Sequence, residues 1–107
     1  MDPDEDIPVA DGVVIRAVDI AESFVRASGP GGQNVNKVAT AVQLRYDAAR
    51  ADLPPYVRER LLAIAGSRAT KDGFVLIEAA RYRTQERNRI DARERLAALV
   101  AKAAEPP

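Results

Sequence analysis

The chain of 107 residues contains no cysteine, no histidine and no tryptophan, and only one methionine. Without thiols or imidazoles, the sequence excludes disulfides, thiolate nucleophiles and the usual neutral-pH base and metal ligand. Its serines have no neighbouring base that could activate them, so the common hydrolytic pairs are also missing. No apolar run approaches the roughly 18 residues that a membrane-spanning helix needs. The sequence therefore predicts no metal, no cofactor and no membrane span.

Residues 1–11 are acidic and contain two prolines, a composition that predicts a disordered acidic arm. This arm is unlike a secretory or mitochondrial targeting segment, so a cytoplasmic location is expected. Residues 12–104 are predicted to form one domain, since a chain of this length can bury a single modest core.

The formal net charge of zero conceals an asymmetry along the chain. Residues 1–22 contain seven acids and one base, which leaves fifteen bases and nine acids, a net charge of +6, in residues 23–107. Residues 81–95 alone contain six arginines against three acids. Guanidinium groups bind phosphates by charge and by bidentate hydrogen bonds, so this run favours RNA as a partner. An ordinary solvated helix face is the alternative interpretation.

Hydrophobic patterning predicts an α+β fold with a small, mainly antiparallel sheet of about four strands. The segments that predict strands are 13–16, which is short and β-branched, 23–27 and 40–46, which alternate, and 74–79, which is rich in apolar residues. The proline pair that follows Leu53 begins one inserted helix, which Gly66 ends. A long C-terminal helix is predicted from an N-cap at Thr84 to Ala104, packed across the sheet with its arginines on the opposite side. The aromatic residues expected in the core are Phe24, Tyr46 and Phe74.

The most informative stretch is Ser28-Gly29-Pro30-Gly31-Gly32-Gln33-Asn34, whose glycines and proline are incompatible with a regular helix or strand. A dinucleotide-binding fingerprint would need glycine at the position of Asn34. A P-loop would need lysine and then serine or threonine where Gln33 and Asn34 stand. Neither nucleotide motif is therefore present. The strands on either side are expected to pair antiparallel, so that the loop protrudes beyond the sheet. A wide hairpin turn without chemistry is the alternative.

Gly31 and Gly32 carry no side chains, so the backbone N–H of Gln33 can approach a reacting ester closely. One well-placed N–H that stabilises an oxyanion contributes about a hundred- to a thousand-fold in rate, too little for unaided ester hydrolysis. The sequence therefore predicts a part that completes a larger, water-restricted active site.

The Ser28–Gln33 run is preceded by Arg26 and followed by Val35-Asn36-Lys37-Val38, and a second block, Tyr82-Arg83-Thr84-Gln85 with Asn88-Arg89, lies about forty residues further on. In this order and spacing, the sequence resembles the catalytic domain of the class I peptide-chain release factors. It is most similar to their stand-alone relatives, the codon-independent ribosome-rescue peptidyl-tRNA hydrolases.

The resemblance implies a monomeric enzyme that acts on the ribosome and triggers attack by water on the ester joining the peptide to P-site tRNA. Gly31, Gly32 and Gln33 would then be catalytic, with Gln33 assisting the attack through its backbone amide. The residues that would shape the loop are Ser28, Gly29, Pro30 and Asn36. The residues that would contact ribosomal RNA are Arg26, Lys37, Arg81, Arg83, Arg87 and Arg89.

Two alternatives to ribosome rescue remain open at the level of sequence. The first is a catalytically silent module that binds the ribosome or RNA, and the second is a hydrolase of free peptidyl-tRNA. The relatives also continue into a flexible basic tail, of which residues 105–107 would be the start. Without such a tail, the domain is expected to fold but to be nearly inactive on stalled ribosomes, because several basic phosphate contacts would be lost, unless this protein senses stalling differently.

Overall fold

The computed structural model describes residues 4–26 and 40–106. These residues contain five strands, two α-helices and two single 3₁₀ turns, Ala17–Asp19 and Gly66–Arg68. The strands are β1 (Ile7–Ala10), β2 (Val13–Ile15), β3 (Ile20–Val25), β4 (Ala41–Asp47) and β5 (Phe74–Ala79), and the helices are α1 (Pro55–Ala65) and α2 (Gln85–Ala104). All strand pairs are antiparallel. The predicted α+β class is therefore confirmed, with five strands in two sheets in place of about four in one.

The larger sheet has the order β3-β4-β5, with β4 in the centre. Along β4, Val42, Leu44 and Tyr46 are fully buried, whereas Gln43 and Arg45 are exposed. This alternation confirms the assignment of faces from the sequence, because successive residues of a strand point to opposite sides of the sheet. The predicted pairing of the strands on either side of the glycine-rich sequence is also confirmed, since Val25 of β3 lies opposite Ala41 of β4.

β1 and β2 form a separate hairpin, closed by Asp11 and by Gly12 with a φ of +74°. Ile7 and Val9 of β1 are half-buried against the core. The predicted disordered arm is therefore wrong for Ile7–Ala10. Their alternation of apolar residues and the Asp-Gly turn outweigh the acidic composition of the segment. Asp6, just before β1, accepts a hydrogen bond from the Ala17 N–H at 2.8 Å.

The ends of both helices follow from their sequences. The N–H of Gly66, which has a φ of +58°, donates to the Leu62 carbonyl at the end of α1. The Thr84 hydroxyl accepts a hydrogen bond from the Arg87 N–H and caps α2, as predicted. α2 packs over β4 and β5, and α1 packs beside it. Neither helix in the described parts of the chain is long and apolar enough to cross a membrane.

Two predictions about individual side chains are wrong. Arg93 lies on the buried side of α2 with 3% exposure, because it pairs there with a carboxylate of β3. Phe24, expected in the core, is 43% exposed. Phe24 belongs to the edge strand β3, and α2 lies over the other two strands, so the ring is covered from fewer directions. Tyr46 is fully buried as predicted, and Phe74 is half-buried.

Candidate functional site

The residues predicted to be catalytic, Gly31, Gly32 and Gln33, lie outside the described residues. So do Lys37 and the residues predicted to shape the loop, which are Ser28, Gly29, Pro30 and Asn36. The structure does describe the two strand ends that lead to this segment. Because Val25 and Ala41 are register partners, residues 27–39 begin and end at neighbouring positions on one end of the sheet.

The same end of the sheet receives the arginine-rich segment that follows β5. Ala79, the last residue of β5, is the partner of Val42 near the start of β4. Arg81 and Arg83 follow directly and are exposed, as are Arg26 after β3 and Arg87 in the first turn of α2. Antiparallel pairing thus brings together four of the six predicted RNA-binding residues at the end of the sheet where the glycine-rich sequence is attached.

Tyr82 lies among these arginines. The guanidinium carbon of Arg87 is 4.8 Å from the centre of the Tyr82 ring, and that of Arg81 is 5.8 Å from it. Arg81 also forms an ion pair with Asp91 at 3.3 Å, although its side chain remains 63% exposed. Cation–π contacts and the ion pair with the buried Asp91 restrain these side chains but leave the guanidinium of Arg81 at the surface. The cluster therefore retains the capacity to bind phosphate groups.

Arg89, the fifth predicted RNA-binding residue, contacts the protein itself. Its Nη2 lies 3.2 Å from Glu22 Oε1 and its Nε lies 3.4 Å from Oε2, and the side chain is only 28% exposed. Arg93, one turn further along α2, places its Nη2 3.2 Å from the same Oε1. Glu22 of β3 thus holds two arginines of α2 in a largely buried cluster. Removing Glu22 would deprive both guanidinium groups of the carboxylate that they share.

Asn88 is fully buried between α2 and the strand end at Thr40. Its Nδ2 donates to the Thr40 carbonyl at 2.8 Å and to the Tyr82 carbonyl at 2.9 Å, and its Oδ1 accepts from the Tyr82 N–H at 2.9 Å. One amide group thereby joins the start of β4, the segment after β5 and α2. Asn88 belongs to the second motif block, but the sequence alone predicts no role for it. Its burial could have been predicted, because Asn88 continues the buried stripe of Ala92 and Leu96 at helical spacing.

Taken together, the described side chains offer positive charge and fixed hydrogen bonds but no evident nucleophile. In residues 4–26 and 40–106, no group of acidic residues is arranged to hold a metal ion. What these residues can do chemically is bind a polyanion and hold the two strand ends in place.

Comparisons with known proteins agree on one family. The model of the RF-1 domain matches residues 8–106 of the chain. The chain is 47% identical to peptidyl-tRNA hydrolase ArfB of Pseudomonas putida over 94 residues, which cover 88% of this chain and 69% of that protein. It is 33% identical over 86 residues to large ribosomal subunit protein mL62 of Mus musculus, covering 79% of this chain and 42% of that protein. Peptide chain release factor 1 of Leuconostoc citreum is 34% identical over 82 residues, 77% of this chain and 16% of that protein.

Proposed function

Because the chain belongs to the RF-1 domain family, we propose that it hydrolyses the ester of P-site peptidyl-tRNA on stalled ribosomes without reading a codon. The observation that carries this proposal is the family match over residues 8–106, a range that contains Gly31, Gly32 and Gln33 intact. The 47% identity to a protein named as a peptidyl-tRNA hydrolase supports the choice of reaction. The chain covers only 42% of protein mL62 and 16% of release factor 1, so the activities of those whole proteins are not proposed for it.

In this mechanism, the Gln33 backbone N–H stabilises the negative charge that develops as water attacks the ester. Gly31 and Gly32 allow the backbone to approach the reacting carbon, because neither has a Cβ. The Gln33 side chain admits water and excludes larger nucleophiles. The chain supplies a hydrogen-bond donor and the ribosome supplies the remainder of the active site. The absence of cysteine and histidine from the chain is compatible with this division of labour.

The basic end of the sheet serves as the contact with ribosomal RNA. Arg26, Arg83 and Arg87 are exposed beside the attachment points of residues 27–39. Binding phosphates at this end directs the glycine-rich segment toward the same RNA surface. Lys37 and Arg81 belong to the same set of contacts, whereas Arg89 acts mainly through Glu22. The protein works as a cytoplasmic monomer with the ribosome as its partner.

The proposal is tested by measuring peptide release from ribosomes halted without a stop codon. Gln33→Pro removes the backbone N–H and should lower the release rate constant by about a hundred- to a thousand-fold. Gln33→Ala keeps the N–H, so its loss in rate should be smaller, but it should also accept hydroxylamine in place of water more readily. Low ionic strength favours saturation of the ribosome during the assay.

A matched control is Gln43→Ala, which removes an exposed glutamine from the outer face of β4 and should release peptide like the wild type. If both Gln33 variants match the wild type, the chain is a catalytically silent ribosome-binding module. Cleavage of free peptidyl-tRNA at an equal rate without ribosomes would favour the other alternative, a ribosome-independent hydrolase.

A further inference from the structure

We propose that Asn88 is a positioning residue, which fixes the start of β4 on α2 and thereby sets the direction in which the segment carrying Gln33 leaves the sheet. The inference rests on the proposed function, since it assigns to Asn88 an effect on the release reaction. Asn88 itself belongs to helix α2 and would act on the reaction only through the backbone at Thr40.

The hydrogen bonds of Asn88 suit this task. The Thr40 carbonyl precedes β4 and is held by Asn88 Nδ2 at 2.8 Å. The two bonds to the backbone of Tyr82 fix the orientation of the amide, so that Nδ2 faces the Thr40 carbonyl. Both protons of Nδ2 and one acceptor site of Oδ1 are used, and water has no access to the group. A buried, fully oriented amide permits little displacement of the backbone that it holds.

The other strand end is attached to the same part of α2. Glu22 of β3 lies three residues before Val25, the end of the strand, and contacts Arg89 and Arg93. Residues 88, 89 and 93 all belong to the first three turns of the helix, which begins at Gln85. Both strands that lead to residues 27–39 are therefore attached to one rigid segment, by a hydrogen-bonded amide on one side and by an ion-pair cluster on the other.

This arrangement should affect the rate of the chemical step more than the affinity for the ribosome. Residues 27–39 are joined covalently to β3 and β4, so a shift of the backbone at Thr40 displaces one attachment point of the segment that carries Gln33. A displacement of about 1 Å at a reacting group can cost about a hundredfold in rate. Asn88 also holds the Tyr82 backbone between Arg81 and Arg83, but the substitution leaves the charge of these exposed arginines unchanged, so the effect on affinity should be the smaller one.

The experiment compares Asn88→Ala with Val100→Ala under single-turnover conditions on stalled ribosomes. Val100 is fully buried three turns further along the same helix and contributes to the core rather than to the strand ends. Both substitutions should lower the midpoint of thermal unfolding, so rates are measured at a temperature where all the proteins are folded. Asn88→Ala should reduce the rate constant at saturation by about tenfold or more, with the half-saturating protein concentration changed less than about twofold. Val100→Ala should leave both quantities near their wild-type values.

A second variant, Asn88→Asp, keeps the size of the side chain and the acceptor for the Tyr82 N–H but lacks the amide donors. It should show the same loss of rate. If both Asn88 variants release peptide as fast as Val100→Ala, Asn88 has only a structural role and the inference is overturned. If the wild type is no faster than Gln33→Pro, the proposed function fails, and the inference fails with it.

If neither Asn88 variant folds, hydrogen exchange in the wild-type protein tests whether Asn88 holds the start of β4 on α2. Amides at residues 40–42 should then exchange together with those of the first turns of α2, as one cooperative unit. Exchange at residues 40–42 that is much faster than in α2 would show that Asn88 does not hold the strand end, and would overturn the inference.

Discussion

At the scale of a single residue, Tyr46 links burial to a dependence of stability on pH. Its ring is fully buried, and within the described parts of the chain its hydroxyl has no hydrogen-bond partner. Burial, with a smaller contribution from the charge of Asp19, raises the pKa of the Tyr46 phenol well above its ordinary value. The unfolded chain therefore loses this proton near pH 10 while the folded protein keeps it, so this contribution to stability is complete below about pH 10 and is lost as the pH rises further.

Replacing Tyr46 by phenylalanine should remove that alkaline loss. At pH 7 we expect Tyr46→Phe to equal the wild type or exceed it by up to about 1 kcal/mol in the free energy of unfolding, because an unsatisfied buried hydroxyl is removed. Above pH 10 the difference in the free energy of unfolding between Tyr46→Phe and the wild type should grow. Urea unfolding at pH 7 and pH 10.5 measures both effects, and Tyr56→Phe, at a ring that is 51% exposed, is the control. A constant difference between the variant and the wild type across this range would contradict the argument.

At the scale of an element, the turn before β5 depends on a glycine that alanine cannot replace. Gly73 has a φ of +88°, and a Cβ placed on it would lie 2.6 Å from the Cβ of Ala49. Its carbonyl also accepts a hydrogen bond from the Ala49 N–H at 3.1 Å, so the two segments cannot separate freely. Gly73→Ala should therefore cost both the strain of positive φ and the overlap, about 2–4 kcal/mol in the free energy of unfolding.

Gly12 provides the matched control for this prediction, because it has a similar φ of +74° but a Cβ added to it would meet no atom within 4 Å. Gly12→Ala should cost only the backbone strain, about 1–2 kcal/mol. Urea denaturation of both variants gives the comparison. Equal losses in the free energy of unfolding for Gly73→Ala and Gly12→Ala would mean that the overlap with Ala49 relaxes without cost.

How much of the fold could be predicted differs from element to element for physical reasons. The alternation of Val42, Leu44 and Tyr46 identified β4 and its faces, and Gly66 and Thr84 marked helix ends, because these signals are local. β1 was missed because the acids and prolines around Ile7 and Val9 dominated the composition. The Asp-Gly turn that follows them was the signal to use.

The residues of the candidate site also differ in whether the sequence alone could identify them. The glycine-rich motif and its arginines could be identified from neighbouring residues alone. The pairing of Arg89 and Arg93 with Glu22 could not, since the partners are 67 and 71 residues apart and meet only when α2 lies over the sheet. The role proposed for Asn88 needed the position of the Thr40 carbonyl, which is likewise set by tertiary structure.

At the scale of the whole molecule, the two ends of the larger sheet should differ in their contribution to ribosome binding. β4 separates them by about 20 Å, since it contains seven residues. Replacing Arg83 and Arg87 by glutamine should weaken binding and reduce the slope of log K against log salt by roughly 2, one for each phosphate that is no longer neutralised. Ribosome binding measured at several salt concentrations gives both quantities.

The corresponding control alters two charges at the opposite end of the sheet. Arg50 and Lys71 are exposed and flank the partners Asp47 and Phe74, where β4 ends and β5 begins. Their replacement by glutamine removes the same total charge but should leave the salt dependence near that of the wild type. Equal effects of the two double substitutions would mean that binding follows net charge alone, without a preferred end.

The cluster of Glu22 with Arg93 also limits how this protein can diverge during evolution. With Arg93 at 3% exposure, loss of Glu22 removes the carboxylate that Arg89 and Arg93 share, at a cost of about 3–5 kcal/mol. That is a large part of the roughly 5–15 kcal/mol by which domains are normally stable. A lineage that abandons Glu22 must therefore alter Arg93 at nearly the same time, whereas one that abandons Arg93 can retain Glu22 with Arg89.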